Sequence, residues 1–143
     1  MATAADIHKE SANAWNKRDF DHLRSLMHTG YTYTGGDGKE MAGQEAGLSV
    51  ARMFASAFPD GTLSVLRVFT RGNTAIAEMV GRGTHGGDLM GIPATHRQVE
   101  ISICNVMELR DGKIYREREY MDMLAMMTQL GVIRAPGHAA GSA

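Results

Sequence analysis

The segment QVEISICNVMELRDGKIYREREY, residues 98–120, decides the fold class of this chain. Apolar and polar residues alternate from Gln98 to Leu109, which is the period of a strand with one buried face. Asp111-Gly112 follows, and these two residue types tolerate the positive φ angles of a two-residue type I′ turn. The segment therefore predicts a β-hairpin in which residues 114–120 return alongside residues 99–109.

The elements around this hairpin follow from the same two periodicities. Alternation predicts two earlier strands, at residues 63–69 and 74–83, and a brief strand at residues 31–34. Helical spacing predicts four helices: one at residues 4–16, a short one that begins at the N-cap Asp19 and carries Phe20, Leu23 and Met27, one whose apolar stripe runs from Ala46 to Phe58, and a last one that carries Met123, Met127 and Leu130. Pro59-Asp60-Gly61 and Gly131 end the last two.

Helices followed by a meander of strands indicate an α+β fold. Each of the three N-terminal helices has one apolar stripe, and the simplest way to bury all three is against one sheet. We therefore expect a cone-shaped curved antiparallel sheet wrapped around the N-terminal helices, with a ligand cavity at the mouth of the cone. The outer face of such a sheet needs a cover, so we expect a homodimer. Residues 1–133 are predicted to be a single domain, and residues 134–143 a disordered tail.

Composition argues against several classes of partner. The net charge of −1 and the pI near 6.6 leave no basic excess for binding nucleic acid.

No apolar run reaches the roughly 18–20 residues that cross a membrane, and the N-terminus has no secretory pattern, so we expect a cytoplasmic protein. Cys104 is the one cysteine and fits a reducing compartment as a small buried residue. The six histidines are not spaced as metal ligands beside an acid, so we expect no metal site.

Asp122 stands where the charged return strand gives way to a methionine-rich helix. A carboxyl held at the end of an apolar pocket has a raised pKa, which suits a general acid or base. Aspartate is also among the best helix N-caps, and capping lowers a carboxyl pKa. Both roles stay open, and they can coexist.

Several segments together resemble one known family. They are Trp15-Asn16 with Asp19, Phe58-Pro59-Asp60, the stretch GTHGGDLMGIPAT at residues 83–95, Asp111-Gly112-Lys113-Ile114, and Asp122 followed by Gln129-Leu130-Gly131. In this order they are similar to the SnoaL-like polyketide cyclases, also called ester cyclases, of the nuclear-transport-factor-2-like superfamily. The stretch at residues 83–95 is fairly specific to this branch.

The resemblance implies a cone-shaped α+β barrel, usually dimeric, with an apolar pocket for a polycyclic or polyketide small molecule. It implies an intramolecular aldol closure of a ring in an aromatic polyketide ester, with neither a metal nor an organic cofactor. It also implies that the acid at position 122 is the general acid and base. Many relatives have a His-Trp pair where this chain has Glu117-Arg118. Two alternatives are a related enzyme that hydroxylates or isomerises a polycyclic substrate, and a non-catalytic protein that binds an apolar ligand.

Further candidate site residues follow from strand parity and size. His85 alternates with small and apolar residues, so it could hydrogen-bond a substrate carbonyl or orient the acid; the alternative is a turn histidine bonded to backbone. One of the four charged residues 116–119 could turn inward, pair with Asp122 and tune its pKa, and Arg118 is the better candidate because alternation places it on the same side of the strand as Asp122. The alternative is that residues 116–119 form a solvated, cross-paired charged strand. The predicted substrate-binding residues are Trp15, Tyr31, Met53, Arg118 and Tyr120, of which Trp15, Tyr31 and Met53 could equally be core residues.

Overall fold

The structure is a computed structural model that describes residues 2–134. The helices are α1 (Ala4–Asn16), α2 (Phe20–Ser25), α3 (Gln44–Ala57) and α4 (Met123–Gln129). The strands are β1 (Met27–Thr34), β2 (Glu40–Ala42), β3 (Thr62–Arg71), β4 (Thr74–Thr84), β5 (Gln98–Arg110) and β6 (Lys113–Met121). The tail predicted at residues 134–143 lies outside the described residues from position 135 onward.

Side-chain caps begin the first two helices. The Thr3 hydroxyl accepts the N–H of Asp6 at 3.1 Å while the Asp6 carboxylate accepts the N–H of Thr3 at 3.0 Å, which is a reciprocal capping box. Asp19 begins α2 as predicted, since its carboxylate accepts the N–H of His22 at 3.0 Å.

The second helix is shorter than its apolar residues predict. The carbonyl of Leu26 accepts the N–H of Ile114 at 2.8 Å, and this bond draws the chain into the sheet. Met27 is therefore the first residue of β1, where it pairs with Ile114. The prediction that Met27 continues the helix is wrong, because pairing with a distant strand outweighs the local spacing.

The sheet has the strand order β2-β1-β6-β5-β4-β3. Strands β3 to β6 form the predicted antiparallel meander, and β2 adds to β1 in the same way. The pairing of β1 with β6 is instead parallel. No hairpin joins these two strands, and a hairpin is what would force an antiparallel arrangement.

The β5–β6 hairpin confirms the predicted turn. Arg110 pairs with Lys113, and the two residues between them have φ angles of 53° at Asp111 and 73° at Gly112. Just beyond the turn, Leu109 pairs with Ile114 but Glu108 pairs with Arg116. The one extra residue on β6 makes this a β-bulge. Every later side chain of that strand therefore points to the opposite side of the sheet from the side expected by alternation from Ile114.

The curved sheet stays open, with β2 and β3 at its two edges, and the mixed α+β fold is confirmed. Helix α1 packs against β3, and α3 packs against β1. Two apolar clusters result, one that includes Ala12, Phe58, Met79, Ile101 and Leu130, and one that includes Leu23, Tyr31, Leu48, Met107 and Ile114. Among the residues described, no helix is long and apolar enough to cross a membrane.

Candidate functional site

A cavity of about 130 Å³ lies between the helices and the inner face of the sheet. One face of α1 lines it, with His8, Ser11, Ala12 and Trp15 at the spacing of successive helical turns. The inward residues of β5 line it at every second position, from Val99 through Ile101, Ile103, Asn105 and Met107. Most of the lining is apolar, so the few polar groups in it determine what chemistry the cavity can perform.

Two carboxyl groups on β6 face this cavity. Glu117 and Glu119 lie two residues apart, so they project from the same side of the strand. The amide nitrogen of Asn105 on the neighbouring β5 donates to both, at 2.8 Å to Glu117 Oε2 and 3.1 Å to Glu119 Oε2. One amide therefore holds both carboxyls at the cavity wall.

Two tyrosines of β1 donate to the other oxygens of the pair. The Tyr31 hydroxyl is 2.5 Å from Glu117 Oε1, and the Tyr33 hydroxyl is 3.0 Å from Glu119 Oε1. Burial raises the pKa of both tyrosines, and the nearby carboxylates raise it further. Both hydroxyls therefore stay protonated and act as donors.

His8 orients the bridging amide. Its Nε2 is 2.9 Å from Asn105 Oδ1. Because the Asn105 amide nitrogen donates to the two glutamates, Oδ1 is the acceptor and His8 Nε2 carries the proton. Burial lowers the pKa of His8, which favours the neutral ring. Its Nδ1 is buried and has no hydrogen-bond partner among residues 2–134.

Glu119 is a carboxyl suited to proton transfer at neutral pH. Burial raises its pKa to about 7, the negative charge of Glu117 contributes to the rise, and the bonds from Tyr33 and Asn105 oppose it. Its side chain is half-buried, and part of its surface borders the cavity. A group that is half ionised near pH 7 and faces an apolar cavity can both accept and return a proton.

The structure places Asp122 and His85 away from this cavity lining. Asp122 is exposed and caps α4, where its carboxylate accepts the N–H of Ala125 at 2.9 Å. His85 is fully buried, and its Nδ1 accepts the N–H of Thr95 at 3.2 Å. The catalytic roles predicted for Asp122 and His85 stay predictions.

The predicted substrate-binding residues are dispersed. Trp15 lines the cavity, Tyr31 is buried behind Glu117, and Met53 packs against the core. Arg118 and Tyr120 point to the outer face of the sheet, where Arg118 forms an ion pair with Glu108 and Tyr120 is 59% exposed. The structure thus brings Tyr31 to the carboxyl pair and Trp15 to the cavity lining, and it leaves the other three apart from the pair.

His8, Asn105, Glu117 and Glu119 were not among the predicted site residues. A signal for Asn105 exists in the sequence, since it is a polar residue at an inward position of an otherwise apolar alternation. The facing of β6 was harder to predict, because alternation counted from the buried Ile114 places Arg118 inward. The bulge beside the hairpin reverses that parity and turns the glutamates inward instead.

No group of histidine, cysteine, aspartate or glutamate side chains in the described residues could hold a metal ion. Two carboxyls, two phenols, one amide and one imidazole instead form one hydrogen-bonded cluster beside the cavity.

Residues 5–130 match the family model of the SnoaL-like polyketide cyclases. The chain belongs to this family. The resemblance in its motifs is thereby confirmed, and the protein is an enzyme of the SnoaL-like cyclase type.

Curated relatives of this SnoaL-like enzyme are named as cyclases. Aklanonic acid methyl ester cyclase of Streptomyces peucetius is 28% identical over 134 residues, which cover 92% of this chain and 92% of that protein. Nogalonic acid methyl ester cyclase of Streptomyces nogalater is 33% identical over 72 residues, which cover 50% of this chain and 54% of that protein.

Solved structures of the same fold superpose closely on the SnoaL-like enzyme. IdmH of Streptomyces antibioticus, a candidate polyketide cyclase, is 27% identical with a TM-score of 0.81, over 91% of this chain and 99% of that one. A SnoaL-like protein of Jannaschia sp. CCS1 is 20% identical with a TM-score of 0.85, over 91% of this chain and 92% of that one, and supports the fold alone.

Proposed function

We propose that this enzyme closes a ring in an aromatic polyketide ester by an intramolecular aldol reaction, with Glu119 as general base and acid. The observation that carries the proposal is a carboxyl of raised pKa, about 7, at the polar end of an apolar cavity. The relatives named as cyclases of aklanonic and nogalonic acid methyl esters support the substrate class.

An intramolecular aldol closure requires that one proton be removed from a carbon and that one proton be delivered to an oxygen. Ionised Glu119 takes the acidic proton from the carbon between two substrate carbonyls, and the electron pair delocalises as an enolate. The enolate carbon then bonds to an internal carbonyl carbon, whose π electrons become an alkoxide. Protonated Glu119 gives the proton to that alkoxide, so the reaction consumes no oxidant or reductant. One carboxyl serves both steps because its pKa lies near the working pH.

The apolar lining of the cavity also suits the chemistry of such a substrate. Aromatic and aliphatic side chains, among them Trp15, Phe54 and Phe58, provide surfaces for a flat polycyclic body. The polar groups lie together at Glu117 and Glu119, so the carbonyl-bearing end of the substrate faces them. Holding the two reacting carbons in one cavity lowers the entropic part of the barrier.

A direct test is incubation of the purified protein with an anthraquinone β-keto methyl ester, such as aklanonic acid methyl ester, followed by chromatography. We expect wild-type protein to form the cyclised product and Glu119→Gln to lose at least about a hundredfold in rate. Glu108→Gln, which removes a carboxylate from the outer face, is the matched control and keeps its activity. Wild-type rates equal to those without protein would overturn the cyclase proposal. Full turnover in Glu119→Gln would overturn the role of Glu119 only.

We also propose a homodimer formed through the outer face of the sheet. Phe69, Ile76 and Val106 are cross-strand neighbours on that face, and the side chains of Phe69 and Ile76 are 55% and 40% exposed. A partner that covers these side chains would remove apolar surface from water. Sedimentation equilibrium should give a dimer for wild type and a monomer for the double variant Phe69→Ser, Ile76→Ser. A monomeric wild-type protein would contradict this proposal.

A further inference from the structure

The glutamate pair has a second member whose role the aldol reaction does not specify. Glu117 borders the same cavity as Glu119 and shares with it the donor nitrogen of Asn105. Two carboxylates held on one nitrogen repel each other, so ionising both is costly unless a cation compensates.

Within residues 2–134, no lysine or arginine forms an ion pair or hydrogen bond with either glutamate. The polar groups that face the pair are Tyr31 and Tyr33 from β1, Asn105 from β5, and His8 from α1, which acts through Asn105. Arg82 from β4 also lines the cavity but pairs with Glu100, and Arg118 of β6 itself pairs with Glu108 on the outer face. The α3 side chains in the lining are apolar. No cation therefore offsets the repulsion between the carboxylates of Glu117 and Glu119.

The hydrogen bonds distinguish the two carboxyls. Glu117 accepts at 2.5 Å from Tyr31 and at 2.8 Å from Asn105. Glu119 accepts at the longer distances of 3.0 Å from Tyr33 and 3.1 Å from Asn105. Short bonds to protonated donors favour the ionised form of an acceptor. The hydrogen bonds therefore hold Glu117 more closely than they hold Glu119.

We infer that Glu117 is a positioning residue whose fixed negative charge sets the proton affinity of Glu119, so that the pair carries one proton near neutral pH. This inference rests on the proposed function of Glu119. The burial and repulsion that raise the pKa of Glu119 agree with it. A negative group at position 117 makes Glu119 a stronger base than a neutral or cationic side chain at that position would.

The test is the pH dependence of kcat/KM in Glu117→Gln, which keeps the shape of the side chain and removes its charge. We expect the acidic limb of the profile to move down by about one pH unit or more, because the like charge beside Glu119 is gone. Glu117→Asp retains the charge, so its limb should stay closer to that of wild type. Glu108 lies on the neighbouring strand β5 but faces outward, so Glu108→Gln should leave the acidic limb of the profile unmoved. An active Glu117→Gln enzyme with an unmoved limb would overturn the inference.

A second readout separates this inference from the proposed function. The carboxyl carbon of Glu119 can be titrated by NMR in protein labelled with ¹³C-glutamate, with Glu119→Gln used to assign the signal. A titration midpoint that falls in Glu117→Gln supports the inference even if no substrate turns over. An unchanged midpoint in folded protein would overturn it even if the cyclase proposal succeeds.

Discussion

Replacement of Glu119 by glutamine should raise the stability of the protein relative to wild type as the pH increases from 5 to 8, while it removes activity. The pKa of Glu119 rises from 4.5 to about 7 on folding, chiefly because of burial. Between these two values the unfolded chain is ionised while the folded protein still holds the proton. The folded state then binds more protons than the unfolded state, so stability falls as pH rises through this window.

The size of the effect follows from the shift. A rise in pKa from 4.5 to about 7 corresponds to roughly 3 kcal/mol of stability. Linkage gives a cost of about 1 kcal/mol at pH 5 and about 3 kcal/mol at pH 8. Glu119→Gln lacks the titrating group, so its stability relative to wild type should improve by roughly 2 kcal/mol between pH 5 and pH 8.

Urea denaturation of both proteins at pH 5, 6, 7 and 8 measures this difference. The glutamine cannot accept from both Tyr33 and Asn105 as the carboxylate does, and this causes a penalty that is the same at every pH. The penalty cancels when the difference at pH 5 is subtracted from that at pH 8. A stability difference that stays constant over this range would refute the argument that Glu119 is buried with a raised pKa.

Three other substitutions test separate parts of the site. Asp122→Asn should keep activity within about twofold, since asparagine caps a helix about as well as aspartate; a loss beyond tenfold with unchanged thermal stability would instead make Asp122 the catalytic acid. Tyr33→Phe removes a donor that lowers the pKa of Glu119, so the acidic limb of kcat/KM should move up, opposite to the shift expected for Glu117→Gln. Gly47→Ala would place a Cβ 2.5 Å from the Tyr31 ring and should destabilise the protein by about 1–3 kcal/mol in urea denaturation, whereas an unaffected protein would mean that this contact is loose.

Much of the fold could be predicted because it depends on short-range patterns. Helix α1 has the predicted bounds, and the capping residue Asp19 and the Asp111-Gly112 turn lie where the sequence indicates. Each of these features depends on a few adjacent residues whose backbone preferences are strong on their own. The parallel pairing of β1 with β6 was not predictable in this way, because neither strand contains information about the direction of its distant neighbour.

The candidate site was predictable only in part. Strand β6 was expected to carry either a solvated charged surface or one inward charged residue, for which Arg118 was the better candidate. It instead turns both Glu117 and Glu119 into the cavity. The cause is the bulge between the turn and Arg116, which adds one residue on β6 relative to β5. A bulge is defined by a partner strand, so the sequence of β6 alone does not reveal it.

The sequence by itself determined the class of fold, the hairpin and the family, because periodicity, turn chemistry and motif order are properties of the linear chain. The tertiary structure decided which charged residues of β6 meet the cavity and which donors they share. Side chains alternate with a period of two, so a one-residue shift in pairing moves a carboxyl from solvent to the interior. That shift encloses Glu119 and places Asn105, Glu117 and Tyr33 around it, and its pKa follows from this enclosure.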